Sequence, residues 1–213
     1  MQPHPAIYDE LTRTIREKYT SVSQNENEMI IDAVRMFNAE LLETRDIDHI
    51  IQNAGELIFS LFGFKEVLIG LREKNGLFKY NVILGHSKKS EEAIVSAEYR
   101  IEEMSCSEDF PCVRVSNFTE FCLKEDIPED EMEVRQFNRP SDISKERTSL
   151  DEMMEGDYID VFIYGADDVM LGWIEVSYPS NGKFPSRETI RGLELLASVL
   201  GIAFTYMGLP KST

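Results

Sequence analysis

Ile7, Leu11 and Ile15 recur at every fourth position within the first 20 residues, with charged residues between them, and predict a helix there. A polar break, SVSQNENE, follows. Over residues 25–43, Ile30, Val34, Phe37 and Leu41 alternate steps of four and three, which predicts a second helix with a narrow apolar seam. Such a seam packs either on the chain's own core or against its counterpart in a parallel helix pair. Thr44-Arg45-Asp46 interrupts the pattern, and Asp46 is placed to cap the next helix. That helix, over residues 47–62, carries Ile50, Ile51, Ala54, Leu57, Ile58, Leu61 and Phe62 as a wide core-facing stripe, and Gly63 is placed to end it.

The period then shortens. EVLIGLR (66–72) and LFKYNVIL (77–84) flank Glu73-Lys74-Asn75-Gly76 and read as a β-hairpin. DYIDVFIYG (157–165) and VMLGWIEVSY (169–178), joined by Ala166-Asp167-Asp168, read as a second hairpin. A turn-rich loop, residues 179–185, leads to Ser186 as N-cap of a long apolar helix over residues 187–207, ended by Gly208 and Pro210. Between the hairpins the pattern is weak. Short strands are expected near 93–101 and 112–115, a helix near 118–124 and a short helix at 144–154. The order helix, helix, hairpin, irregular insertion, hairpin, helix predicts an α+β fold. Its antiparallel sheet has N- and C-terminal helices packed on one face and the irregular insertion on the other.

Charge sharpens that division. The chain of 213 residues has a net charge of −17. Residues 91–168 hold 23 acidic and 7 basic side chains, so nearly all the excess lies in the insertion. Such a chain is repelled by a phosphate backbone or an anionic membrane surface, and neither nucleic acid nor membrane is an expected partner. No secretory pattern is read at the start, and three cysteines form no dense disulfide framework, so a cytoplasmic location is expected.

Strand alternation assigns faces. Ile159, Val161 and Ile163, with Met170, Gly172, Ile174 and Val176, suit packing under helices. The opposite face carries Tyr158, Asp160, Phe162 and Tyr164 with Leu171, Trp173, Glu175 and Ser177, and its mixed set of Asp160, Phe162, Tyr164, Trp173 and Glu175 faces the insertion. Aromatic walls with carboxylates make these five the candidate ligand-binding residues, and their chemistry favours a cationic or amine ligand.

The order of elements and the stretch DYIDVFIYGADDVMLGWIEVSYPSNGKFPSRETIRGLELLASVLGIAFTYM resemble a GAF domain. Leu171-Gly172, Phe184-Pro185-Ser186 and the small and apolar residues from Leu193 to Phe204 stand at that family's characteristic places, as do the opening helix and Gly63-Phe64. The resemblance covers about residues 38–207, leaving 1–37 as an N-terminal helical extension and 208–213 as a C-terminal tail. It implies a GAF/PAS-like sensory module. A small molecule would bind between the sheet and the 86–156 insertion, and the terminal helices would form a homodimer. The ligand, any cofactor and the signalling partner stay unidentified, the output belonging to a partner or to another part of a longer chain.

The competing reading is a thiol-based redox enzyme or sensor. Cys106, Cys112 and Cys122 are spaced Cys-x5-Cys-x9-Cys, without a CxxC pair, so no metal site is expected. A GAF subfamily, the free methionine-(R)-sulfoxide reductases, is similar in carrying three cysteines. Its glycine-flanked and histidine-containing cysteine motifs are missing here: Cys106 lies between Ser105 and Ser107. Of the bilin-attachment pattern only Asp126-Ile127-Pro128 is present, and the cyclic-nucleotide set of that family is absent. No set of residues meets the requirements of a catalytic centre, so a non-enzymatic role is expected.

Overall fold

The computed structural model describes residues 26–104, 112–127 and 137–209; the helix expected in the first 20 residues lies outside them. Helix α1 spans Glu26–Leu41 and α2 spans Ile47–Leu61. Asp46 caps α2 as expected, its carboxylate accepting the N–H of Asp48 and His49 at 3.1 and 3.3 Å, an arrangement that stabilises a helix by about 1 kcal/mol. Gly63 takes φ +76 and turns the chain into the sheet. Strands β1 (Phe64–Arg72) and β2 (Phe78–Leu84) form the first hairpin.

The described parts of the insertion hold more regular structure than their pattern suggests. Where a strand was expected near 93–101, helix α3 runs Lys88–Val95, capped by Ser87, and Tyr99 then makes one bridge to Phe78. Residues 118–124 form no helix. They hold β4 (Thr119–Cys122), preceded by the expected strand near 112, β3 (Val113–Arg114). Residues 144–154 are turns rather than helix. Strands β5 (Tyr158–Tyr164) and β6 (Met170–Pro179) form the second hairpin, and α4 spans Arg187–Met207, with Ser186 accepting from the Thr189 N–H at 3.1 Å.

The six strands pair antiparallel throughout, in the order β2-β1-β6-β5-β4-β3. The reason for the helix-to-strand correction is tertiary. The outer edge of β5 presents a row of backbone donors and acceptors that need partners. Residues 119–122 supply them, and Thr119 and Phe121 then turn toward the helix side, where Thr119 Oγ1 donates to Glu194 of α4 at 2.8 Å.

One sheet face lies under the helices. Val67, Ile69, Leu71, Ile159, Val161, Ile163, Ile174 and Val176 join the inner faces of α1, α2 and α4 in a single core. The α1 seam belongs to it: Ile30, Val34 and Phe37 are buried there, with Leu41 packed at its border, and α1 lies on α4. Gly201 allows α4 to approach β5, since a Cβ there would stand 2.0 Å from the Tyr164 carbonyl oxygen. Among the described residues α4 alone is long and apolar enough to cross a membrane, and half of that stretch is buried in this core.

The opposite face carries a second, smaller cluster of Phe78, Met104, Phe162, Met170 and Trp173, edged by Tyr80, Tyr99 and Tyr164. The faces expected for Leu171 and Met170 are exchanged: Leu171 enters the helix-side core and Met170 the outer cluster. A bulge between Ile163 and Tyr164 causes this, because one extra residue inverts the alternation beyond it. Trp173 lies over Gly70 on the neighbouring strand, so closely that a Cβ on Gly70 would stand 2.1 Å from the indole.

Part of the insertion is fastened to this face by buried ions. The Arg139 guanidinium pairs with both Glu66 and Glu155, and it stacks on the Tyr178 ring at 3.4 Å from the centroid. Glu66 also accepts from Asn138 and Ser177, each at 2.6 Å. Arg147 binds Asp157 at 2.9 and 3.0 Å and Glu125 at 2.7 and 2.9 Å.

Gly70→Ala should destabilise the fold by about 1–3 kcal/mol through overpacking against Trp173, read by urea unfolding, with the near-ultraviolet signal of the only tryptophan altered. Arg139→Ala should cost about 3–5 kcal/mol at neutral pH, because two buried carboxylates lose their cation. Burial already raises the proton affinity of Glu155. In the variant, acid should therefore protonate it and shrink the loss. Unfolding free energies measured across the carboxylate range check that sign.

Candidate functional site

The pleat and register bring the carboxylates together. Glu120 on β4 stands opposite Asp160 on β5, and Asp160 stands opposite Glu175 on β6. Three acidic side chains thus neighbour one another across three strands, on the face away from the helices. Like charges directly opposed are unfavourable on a sheet, so this row creates a demand for positive charge or donated protons. Arg114 answers it at Glu120, its Nε donating at 2.8 Å to a carboxylate only 1% exposed. Tyr80, from β2, answers it at Glu175, its hydroxyl donating to Oε2 at 2.6 Å. Burial first, and then the Glu175 charge, hold the Tyr80 phenol well above its usual ionisation range, so it stays a donor.

Beside this row lies the aromatic wall. Phe162 and Trp173 are cross-strand partners. The Trp173 ring is 4.8 Å from Tyr80, 6.0 Å from Tyr99 and 6.1 Å from Phe78, centroid to centroid. Tyr164 stands at the rim, 6.2 Å from Phe162 and 5.8 Å from Phe118. All five predicted residues, Asp160, Phe162, Tyr164, Trp173 and Glu175, therefore share one face. The expected direction of Trp173, away from the terminal helices, is the observed one. The open hollow expected beside it is not: Trp173 is 1% exposed, enclosed by Phe78, Tyr80, Tyr99 and Met104.

Sequence reasoning missed Tyr80, Tyr99, Met104, Glu120 and Arg114 as parts of this site. Alternation in β2 marks Tyr80 as facing one side. Only the pairing of β2 with β1, which slips between Ile69 and Gly70, decides what it faces. Glu120 was hidden by the helix expected over residues 118–124, and with it the partner of Arg114 on the strand expected near 112–115.

A cleft of about 380 Å³ opens elsewhere, at the β1–β2 hairpin end, among Arg45, Asp48, Arg72, Lys74, Asn81 and Leu209. It contains none of the predicted site residues. His86 lies with Nδ1 3.3 Å from the Ser90 hydroxyl, and burial lowers its pKa. Among the described residues no group of three His, Cys, Asp or Glu side chains is arranged to hold a metal. Of the cysteines, Cys112 and Cys122 come together with Sγ atoms 3.0 Å apart, and Cys106 lies outside the described residues.

No protein-family model and no curated protein matches the sequence. Solved structures do match in fold. The phycoerythrobilin-bound GAF domain from a cyanobacterial phytochrome is 11% identical, with a TM-score of 0.58 over 88% of this chain and 98% of that one. Free methionine-R-sulfoxide reductase from Neisseria meningitidis, in complex with its substrate, is 11% identical, with a TM-score of 0.56 over 87% and 94%. The GAF domain from Acinetobacter phosphoenolpyruvate-protein phosphotransferase is 11% identical, with a TM-score of 0.55 over 90% and 99%. At such identities the likeness is one of architecture, and the architecture of this chain is that of a GAF domain.

Proposed function

We propose that the chain is a non-catalytic, small-molecule-sensing regulatory module, its GAF-like domain spanning residues 38–207. The ligand is a cation or amine, bound between the sheet and the 86–156 segment in contact with Asp160, Phe162, Tyr164, Trp173 and Glu175. The observation that carries this reading is the in-register Asp160–Glu175 pair beside the Trp173 and Tyr80 rings. Paired carboxylates attract an ammonium group, and the faces of Trp and Tyr add cation–π attraction. The phytochrome GAF domain carries phycoerythrobilin and the Neisseria reductase its substrate. They support only the statement that this fold accommodates small molecules.

Because Tyr99 and Met104 close over Trp173, entry requires that residues 96–104 withdraw. A ligand that binds only the withdrawn form shifts the population toward it, and this differential affinity is the signal. The module acts in the cytoplasm through a signalling partner protein.

Thermal-shift measurements with a panel of polyamines, amino acids and nucleotides test the reading. An amine at about 100 times its Kd should add about 2.7 kcal/mol and raise Tm by about 5–10 °C. Asp160→Asn and Glu175→Gln should abolish the shift while leaving a folded protein. A panel in which only anions stabilise, or in which both variants respond like the parent, would overturn it.

We also propose a homodimer through the terminal helices. Since the α1 seam is spent on the chain's own core, the contact falls on outer faces. On α4, Leu195, Ile202 and Tyr206 are exposed and Val199 is half-buried, at spacings that place all four on one stripe. On α1, Met29 and Met36 are exposed one heptad apart. Sedimentation velocity should show a dimer, and Ile202→Lys should shift it to monomer with the circular dichroism spectrum retained.

A further inference from the structure

We propose that Cys112 and Cys122 are a disulfide-forming pair, oxidised reversibly by peroxides across the β3–β4 hairpin. The two Sγ atoms stand 3.0 Å apart, with the Cys122 thiol donating to Cys112. Both are in the reduced, thiol form in this structure. Their approach follows from the ladder. Val113 pairs with Phe121 and Arg114 with Glu120, so the next position outward sets Cys112 opposite Cys122. The Val115 N–H binds the Thr119 carbonyl at 3.0 Å. Counting outward from that hydrogen-bonded pair puts 114·120 and 112·122 at non-hydrogen-bonded positions, where Cα atoms lie about 4.5 Å apart. A disulfide accepts that separation, its range being about 4.4–6.8 Å. Closing the bond thus asks for side-chain adjustment and no change of register. The Arg114–Glu120 ion pair on the same hairpin face holds the two strands in that register.

The pair is asymmetric. Cys122 is buried, 6% exposed, and its thiol is pushed up in pKa by the bond to Cys112, by burial and by Asp160. Cys112 is half-buried and accepts the Cys122 proton in its hydrogen bond, which favours it as the attacking sulfur. Cys112 attacks one oxygen of the peroxide. The O–O bond breaks, a sulfenic acid forms on Cys112, and water or an alcohol leaves. Cys122 sulfur then attacks the sulfenic sulfur; its proton leaves with the hydroxyl as a second water, and the S–S bond forms. The peroxide is reduced by two electrons and the two thiols are oxidised by two. A small thiol returns the pair to the reduced state by exchange. The bond ties the start of β3 to the end of β4, one strand pair from the carboxylate row.

Hydrogen peroxide applied to the full chain tests this independently of any ligand. Intact-mass spectrometry should show loss of two hydrogens, free-thiol titration should fall from three to one, and peptide mapping should recover a Cys112–Cys122 link. A reducing thiol should reverse all three. Cys106→Ser should behave like the parent, apart from its missing thiol, and Cys112→Ser should form no intrachain disulfide. Pairing through Cys106, exclusively intermolecular disulfides, or accumulation of oxygenated Cys112 without a link would overturn the proposal.

Discussion

A carboxylate removed from water must keep a cation or a set of donors, and this requirement governs how the acidic half of the chain folds. The sheet face away from the helices carries Glu66, Glu120, Asp160 and Glu175. The segment that covers and extends that face is itself the most acidic part of the sequence. Simple charge counting says that the two should repel. Arg139 on Glu66 and Arg147 on Asp157 join the two, while Arg114 on Glu120, Arg139 on Glu155 and Arg147 on Glu125 neutralise the segment's own acids. Such pairs contribute little net stability relative to an apolar packing, yet breaking one leaves an uncompensated charge at much greater cost. They fix where the segment attaches more than how firmly it holds.

The same sheet has two unlike faces because one of its central strands, β6, alternates aliphatic residues with an aromatic and an acidic one. Ile174 and Val176 go under the helices, while Trp173 and Glu175 go outward. The indole needs a strand neighbour without a side chain, and Gly70 provides it. The outer face is thereby a filled aromatic cluster bordering a row of acids. Any molecule entering this cluster would have to displace the chain's own Tyr99 and Met104. Across the sheet edge, the Cys112–Cys122 pair sits at the end of the same hairpin that supplies Glu120.

Legibility in the sequence tracked the locality of the physics. Asp46 and Ser186 cap their helices, Gly63 turns the chain, and α4 begins and ends where its pattern does, because each depends on contacts within a few residues. The side taken by Trp173, Phe162, Asp160 and Glu175 was readable too, since alternation within a strand needs only the pleat. Leu171 and Met170 were misplaced because one bulge, set by pairing with β5, inverts the count.

The amino-acid order alone thus determined the α+β succession, the helix-side core and the five residues that share the outer face. These follow from periodicity, capping and turn chemistry, all short-range. Tertiary structure decided that residues 119–122 are a strand, because the free edge of β5 outweighs local preference. It decided that the α1 seam serves the chain's own core, and that Tyr80 reaches Glu175 from a strand 95 residues away in sequence. It also set Cys112 opposite Cys122, because pairing with β5 makes residues 119–122 a strand on which β3 can fold back.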